Sequence, residues 1–239
     1  MPYPLPFYSI GPSLLPNDDI FADATLTLES FEKYNDANRC QRCGRLLDKR
    51  VRASELVIEW IVDQYQKGTD VIADWYFFSW RTMISDRVLS CLKSNRFSGY
   101  ALQPVRMTQD PKLHRPKRVT SKTKIRIWLP YEGPPLHELV VTGRVEVNLE
   151  RNHIEVTEHL KCSSCNHLIK ALGFPFPRVP LSLDSSDWGG NDIFRLDYKG
   201  VESEDNASLY CVTESMRQAL VDARFTNIEF SLMGYIHEH

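Results

Sequence analysis

The chain has 239 residues, 42% of them hydrophobic and 25% charged, and a formal net charge of −2. This composition is ordinary for a soluble globular protein with one large or two small domains, and the near-neutral charge argues against wholesale nucleic-acid binding. No apolar run approaches the ~20 residues needed to span a bilayer, and the first residues, Met1 to Phe7, lack a basic segment and a small-residue cleavage site, so a cytoplasmic protein is expected.

In chain order, the proline-rich and then acidic opening, with Asp18, Asp19 and Asp23 ahead of Leu26 and Leu28, predicts an extended arm leading into a strand, either an edge strand or a partner-binding arm. A Cys-x-x-Cys pair follows at Cys40 and Cys43. The run Val57, Ile58, Trp60, Ile61 and Val62 suits a buried strand, although Ser54 can also cap a helix there. Ser85 is a good N-cap, since its hydroxyl can accept from an unpaired first-turn amide, and Asp86 complements the helix dipole. Val88, Leu89 and Leu92 give the helix that follows a buried stripe. Gly99 then marks a turn, and Tyr100 and Leu102 begin a strand.

Lys112, Arg115, Lys117, Arg118, Lys122, Lys124 and Arg126 form a basic run with no acid between Pro111 and Tyr131. It reads as a solvated connector, or else as a contact for phosphate or for an acidic protein. The alternating sets Ile125/Ile127/Leu129, Leu139/Val141 and Val145/Val147/Leu149 predict strands, with Gly143 at a hairpin position.

A second Cys-x-x-Cys pair, Cys162 and Cys165, begins a stretch that repeats the first. Cys162 lies 162 − 40 = 122 positions after Cys40, and that offset also lays Gly190-Asn191-Asp192-Ile193-Phe194 on Gly68-Thr69-Asp70-Val71-Ile72. Further on, Val212-Thr213-Glu214, Leu220 and Arg224-Phe225-Thr226-Asn227 match Ile84-Ser85-Asp86, Leu92 and Arg96-Phe97-Ser98-Gly99 at 212 − 84 = 128 positions, implying a six-residue insertion in the second copy. Val179-Pro180-Leu181-Ser182-Leu183 takes the place of the Val57 run, and its proline and alternation favour a strand in both copies. Thr213 caps the second helix, whose stripe is Met216, Ala219, Leu220 and Ala223, and Ile228, Phe230 and Leu232 form the last strand. Ordered self-similarity of this kind predicts an α+β protein of two pseudo-equivalent, mostly β repeats, each with a cysteine knuckle and a short capped helix. The halves divide at 1–118 and 119–239, or merge into one pseudo-symmetric domain.

Four thiolates, Cys40, Cys43, Cys162 and Cys165, suit one tetrahedral structural zinc ion, and the two-residue spacer lets both sulfurs of a pair face one metal. The residue after each pair, Gly44 or Asn166, tolerates a left-handed turn. The separation of the pairs requires tertiary folding to bring them together. The other readings are unligated thiols, or redox pairs like those of thioredoxin-like proteins; the latter lack an evident following helix. Cys91 and Cys211 lie on apolar stretches and read as core. The seven histidines show no metallohydrolase spacing, and neither a nucleophile motif nor a glycine-rich phosphate loop is present, so no catalytic residue is expected. Asp70 and Asp192 recur at equivalent places, either as turn residues or as a carboxylate pair.

The ordered set Cys40-Gln-Arg-Cys43-Gly44, His137-Glu138-Leu139-Val140-Val141-Thr142-Gly143, Cys162-Ser-Ser-Cys165 and the terminal Val212-Thr213-Glu214, Ala219-Leu220 and Phe225-Thr226-Asn227-Ile228-Glu229-Phe230 resembles the double-CXXCG motif family of bacterial immunity proteins over nearly the whole chain. Asn166 departs from the second CXXCG. The resemblance implies a cytoplasmic, non-enzymatic protein that neutralises a cognate toxin domain by binding it, with no small-molecule substrate. A zinc-ribbon nucleic-acid-binding module using Lys112 to Arg126 is the rival, followed by a thiol oxidoreductase. Between Asp184 and Asp205 the sequence reads either as a solvated acidic loop with one core tryptophan or as a contact surface, where Asp184, Asp187, Asp192, Glu202, Glu204 and Asp205 steer a basic toxin cleft and Trp188 supplies apolar area.

Overall fold

A computed structural model of the chain describes residues 3–12, 23–26, 40, 42, 56–63, 74–78, 81–108, 126–127, 135–154, 159–164, 168–171, 180–198 and 210–238. Strand-dominated α+β architecture runs through them. The first elements are β1 (Leu5–Gly11), β2 (Asp23–Leu26), β3 (Leu56–Asp63), β4 (Trp75–Phe78), β5 (Arg81–Ser85), α1 (Asp86–Ser94) and β6 (Tyr100–Thr108). Next come β7 (Arg126–Ile127), β8 (Leu136–Val141), β9 (Gly143–Val147), β10 (His159–Lys161) and β11 (Leu168–Ala171). The chain continues through β12 (Leu181–Asp184), α2 (Ser185–Trp188), β13 (Ile193–Tyr198), β14 (Tyr210–Thr213), α3 (Glu214–Asp222) and β15 (Glu229–His237).

Two large sheets share a strand order. One runs β2-β3-β6-β8-β5-β4 with β7 beside β3, the other β12-β15-β1-β14-β13-β9, and β10-β11 forms a separate hairpin. The sets β3-β6-β8-β5-β4 and β12-β15-β1-β14-β13 agree in direction as well, since only β3/β6 and β12/β15 are parallel pairs within them. Registers agree too: Leu136 lies opposite Ser85 as Phe7 lies opposite Thr213, and Leu139 opposite Leu102 as Ile10 opposite Phe230.

The strand expected at Leu26 is β2, at the edge of the first sheet, but the proline-rich segment ahead of it is not an arm. β1 sits between β14 and β15, and its proline is tolerated because β14 pairs only with Phe7, Tyr8 and Ser9, leaving Pro6 with no ladder partner required on that side. Gly143 is not a hairpin turn either. The chain leaves the first sheet in β8, passes Thr142, and enters the second in β9, which pairs in parallel with β13. At this crossing the Thr142 and Gly143 amides both donate to the Gly99 carbonyl, at 2.8 and 2.9 Å. A Cβ on Gly99 or on Gly143 would overlap the Ile193 carbonyl oxygen, so close backbone approach excludes any side chain there.

Both nine-residue helices form as the sequence predicts. The Ser85 hydroxyl accepts from the Val88 amide and that of Thr213 from the Met216 amide, while Asp86 and Glu214 occupy the positively polarised first turns. Val88, Leu89 and Leu92 of α1 and Met216 and Leu220 of α3 are buried in one cluster with Ile10, Trp75, Ile84, Leu139, Ile193 and Val212. Removing each large apolar side chain from water contributes about 1.5–3 kcal/mol, so this cluster, which draws on both sheets, holds them together. The opposite face of the second sheet packs a separate cluster that includes Phe7, Val145, Val147, Leu181, Phe194 and Ile236, with Trp188 of α2 against it.

Candidate functional site

Cys40 and Cys162 meet. Their Sγ atoms are 3.8 Å apart although 122 residues separate them in sequence, and both are buried, at 4% and 1% exposure. Two sulfurs bound at ~2.3 Å to one tetrahedral zinc ion stand about 3.8 Å apart, so this separation is the edge of such a tetrahedron. A disulfide would hold them at about 2.05 Å. Among the described residues no group of three or more His, Cys, Asp or Glu side chains gathers to hold a metal. Cys43 and Cys165 lie outside those residues, as do Gly44 and Asn166.

The local frame around Cys162 is a knuckle. β10 ends at Lys161, β11 begins at Leu168, and the two pair antiparallel with Lys161 opposite Leu168, so the second Cys-x-x-Cys occupies the connection of a short hairpin. Exposed Ser163 and Ser164 lie at its tip. Redox Cys-x-x-Cys pairs gain their reactivity from a helix beginning at the first cysteine, whereas here a strand follows. The donor chemistry and the hairpin frame both fit a structural metal.

The other two cysteines sit elsewhere. Cys211 is wholly buried on β14 in the second cluster, and Cys91 is half-buried on α1. Burial pushes both thiols up, with the Asn95 amide partly offsetting this at Cys91. A thiol held protonated is a poor ligand and a poor nucleophile, in keeping with core roles.

The acidic segment is not one loop. α2 and β13 run through its first part, and residues 199–209 lie outside the described ones. Asp184 ends β12 and forms an ion pair with Arg151. Asp187 is exposed on α2, and Trp188 is half-buried, its indole N–H donating to the Asn191 carbonyl at 2.7 Å. Glu202, Glu204 and Asp205 lie outside the described residues. So do Asp70 and all of the basic run except Arg126 of β7.

Asp192 is engaged inside the molecule. One oxygen accepts from the Ser98 amide and hydroxyl, both at 2.9 Å, and the other accepts from the Thr213 hydroxyl at 3.3 Å. Asp74, which the sequence alone did not single out, does the same work at the other helix. One of its oxygens accepts from the Ser85 hydroxyl at 2.8 Å and the other from the Thr226 amide and hydroxyl at 3.3 Å. The carbonyls of Asp74 and Asp192 also accept from the amides of Ser85 and Thr213, at 2.8 and 2.9 Å. Asp74 thus holds Ser85 as Asp192, 192 − 74 = 118 residues later, holds Thr213, whereas Asp70, the expected counterpart of Asp192, lies outside the described residues. A carboxylate just ahead of a strand that leads to a capping Ser or Thr was the available signal, hidden by the different connection lengths.

Two further polar contacts lie at the helix starts. His137 on β8 lies 3.1 Å from Asp86 at the start of α1. At the start of α3, Arg217 donates to both Glu214 oxygens at 2.7 Å and stacks its guanidinium 4.7 Å from the Tyr8 ring centre. Arg217 holds the Glu214 carboxyl below its ordinary value, against a smaller opposing effect of burial. Compared with models of known protein families and with curated proteins, the sequence matches none.

Proposed function

We propose that this chain is a cytoplasmic immunity protein that neutralises a cognate toxin domain as a stoichiometric, non-catalytic binder. The observation that carries the reading is the ordered set of motifs from Cys40-x-x-Cys43-Gly44 to Phe225-Thr226-Asn227, with its resemblance to the double-CXXCG immunity proteins. Among the described residues no helix is long and apolar enough to cross a membrane. Steric occlusion requires a preorganised surface of roughly 800 Å² per partner with buried anchors. A hydrophobic cluster shared by two sheets is a suitable rigid support.

In this reading the chain is a duplicated unit stapled by zinc. The shared strand order, the equal registers and the paired roles of Asp74 and Asp192 support duplication. The 3.8 Å contact of Cys40 with Cys162 supports a site that draws one knuckle from each half, with Cys43 and Cys165 completing it. Zinc there would supply a structural cross-link and no reaction. Within the acidic segment, Asp187 and Trp188 are the described residues best placed to meet a basic toxin surface, because Asp184 and Asp192 already hold internal partners.

The test is co-expression with the toxin domain encoded in the adjacent reading frame. Rescue of growth together with a stable equimolar complex is expected. Protection at strongly substoichiometric levels, or reversal of the toxin's product without binding, would instead make the chain an enzyme. Neutralising Asp187 and Glu204 should slow association at low salt and much less at high salt; unchanged rates would place the interface elsewhere.

A further inference from the structure

The bonds of Asp74 and Asp192 run in two directions. Each carboxylate accepts from the capping hydroxyl of the helix in its own unit, Ser85 or Thr213. Each also accepts from the backbone amide and the hydroxyl of a turn in the other unit, Thr226 for Asp74 and Ser98 for Asp192. Those turns follow the helices directly, after Arg96 and Arg224, which share the left-handed conformation with φ of 57° and 52°. The exchange is completed in reverse, since the amides of Asp74 and Asp192 donate to the hydroxyls of Thr226 and Ser98 at 2.9 and 3.3 Å. Next along the chain, the Ile193 amide donates to the Ser98 carbonyl, and the Asn227 side-chain amide donates to the Trp75 carbonyl at 2.9 Å.

We infer that Asp74 and Asp192 form a reciprocal latch that couples the two units, each carboxylate setting the helix start of its own unit and holding the post-helix turn of the other. They are positioning residues. The arrangement is isologous, as in a two-fold dimer interface, where the same patch on each side meets its counterpart. A local opening at either helix start therefore frees the turn across the seam, and the helix starts and turns open as one cooperative unit. This coupling depends neither on metal nor on a partner, so it stands or falls separately from the proposed function.

Hydrogen exchange on the full-length chain tests it. Asparagine retains one carbonyl oxygen but replaces the other carboxylate oxygen with a donor, so Asp192→Asn cannot accept from both Thr213 and Ser98. Exchange in the segment Phe97–Leu102, in the other unit, should rise about tenfold or more, as expected for lost hydrogen bonds to a charged acceptor. Asp74→Asn should do the same to Phe225–Phe230. A rise confined to the unit that carries the substitution would overturn the latch. Ser98→Ala removes only a hydroxyl and keeps the test decisive if an aspartate variant does not fold. It should speed exchange at Ile193 and Glu214–Met216 across the seam, whereas Ser98→Thr, which copies Thr226, should leave wild-type rates. Wild-type exchange across the seam in Ser98→Ala would equally refute the coupling.

Discussion

Removing the Cys162 thiol tests the cross-link between the knuckles most directly. If one zinc ion joins Cys40 to Cys162, it closes a loop of 122 residues. A cross-link over a loop of that length restricts the unfolded chain by roughly 4–5 kcal/mol in the chain-entropy description, and folded domains have only about 5–15 kcal/mol in total. For a chain of this size each kcal/mol moves the melting temperature by about 2–4 °C, so Cys162→Ser should melt about 10–20 °C below wild type. Cys40→Ser should match it, because each removes one corner of the same tetrahedron. Cys91→Ser provides the contrast, changing a half-buried helical thiol without touching metal content. The assay is thermal unfolding beside elemental analysis of protein purified without chelator, with one zinc per chain expected. Cobalt substitution should give the intense visible bands of tetrahedral thiolate ligation, and both variants should lose them. Metal-free wild-type protein, or two serine variants that melt as wild type does, would falsify the shared site.

Other consequences follow from the same geometry. Thr213→Ala removes the N-cap of α3 and one donor to Asp192, and should cost about 1–2 kcal/mol in urea unfolding, with Ser85→Ala similar at α1. Gly99→Ala and Gly143→Ala should each cost about 2 kcal/mol or more, because the added Cβ overlaps the Ile193 carbonyl, while Gly11→Ala, with open space around it, should be near neutral. Glu214 has a folded-state pKa below its unfolded value, so its contribution is complete above the unfolded value and is lost as pH falls through the lowered folded one. Unfolding midpoints of Glu214→Gln and wild type should therefore differ at neutral pH and converge well below the ordinary carboxylate range; a constant gap would show that the Arg217 contact does not act through charge.

What the sequence determined by itself is local. Ser85 and Thr213 cap their helices because an N-cap hydroxyl needs only the next three residues, and Leu92 and Leu220 fall into the core because helical spacing fixes a face. Alternation likewise placed the strands around Leu181 and Val145, and the match to the Leu181 run favoured a strand over a helix at Val57. Tertiary structure decided how these pieces meet. The prolines at the start suggested an extended arm, yet β1 became a central strand because the ladder of β14 stops one residue short of Pro6. Gly143 suggested a hairpin, yet the chain crosses between sheets there, and the glycine answers to the Gly99 and Ile193 backbones, which no local pattern reveals. Asp74 was not singled out because sequence offsets drift where connections differ in length, whereas hydrogen bonds to Ser85 and Thr226 fix the residue in space. The approach of Cys40 to Cys162 has the same origin: spacing defined each pair, and only the packing of two distant segments set their sulfurs 3.8 Å apart.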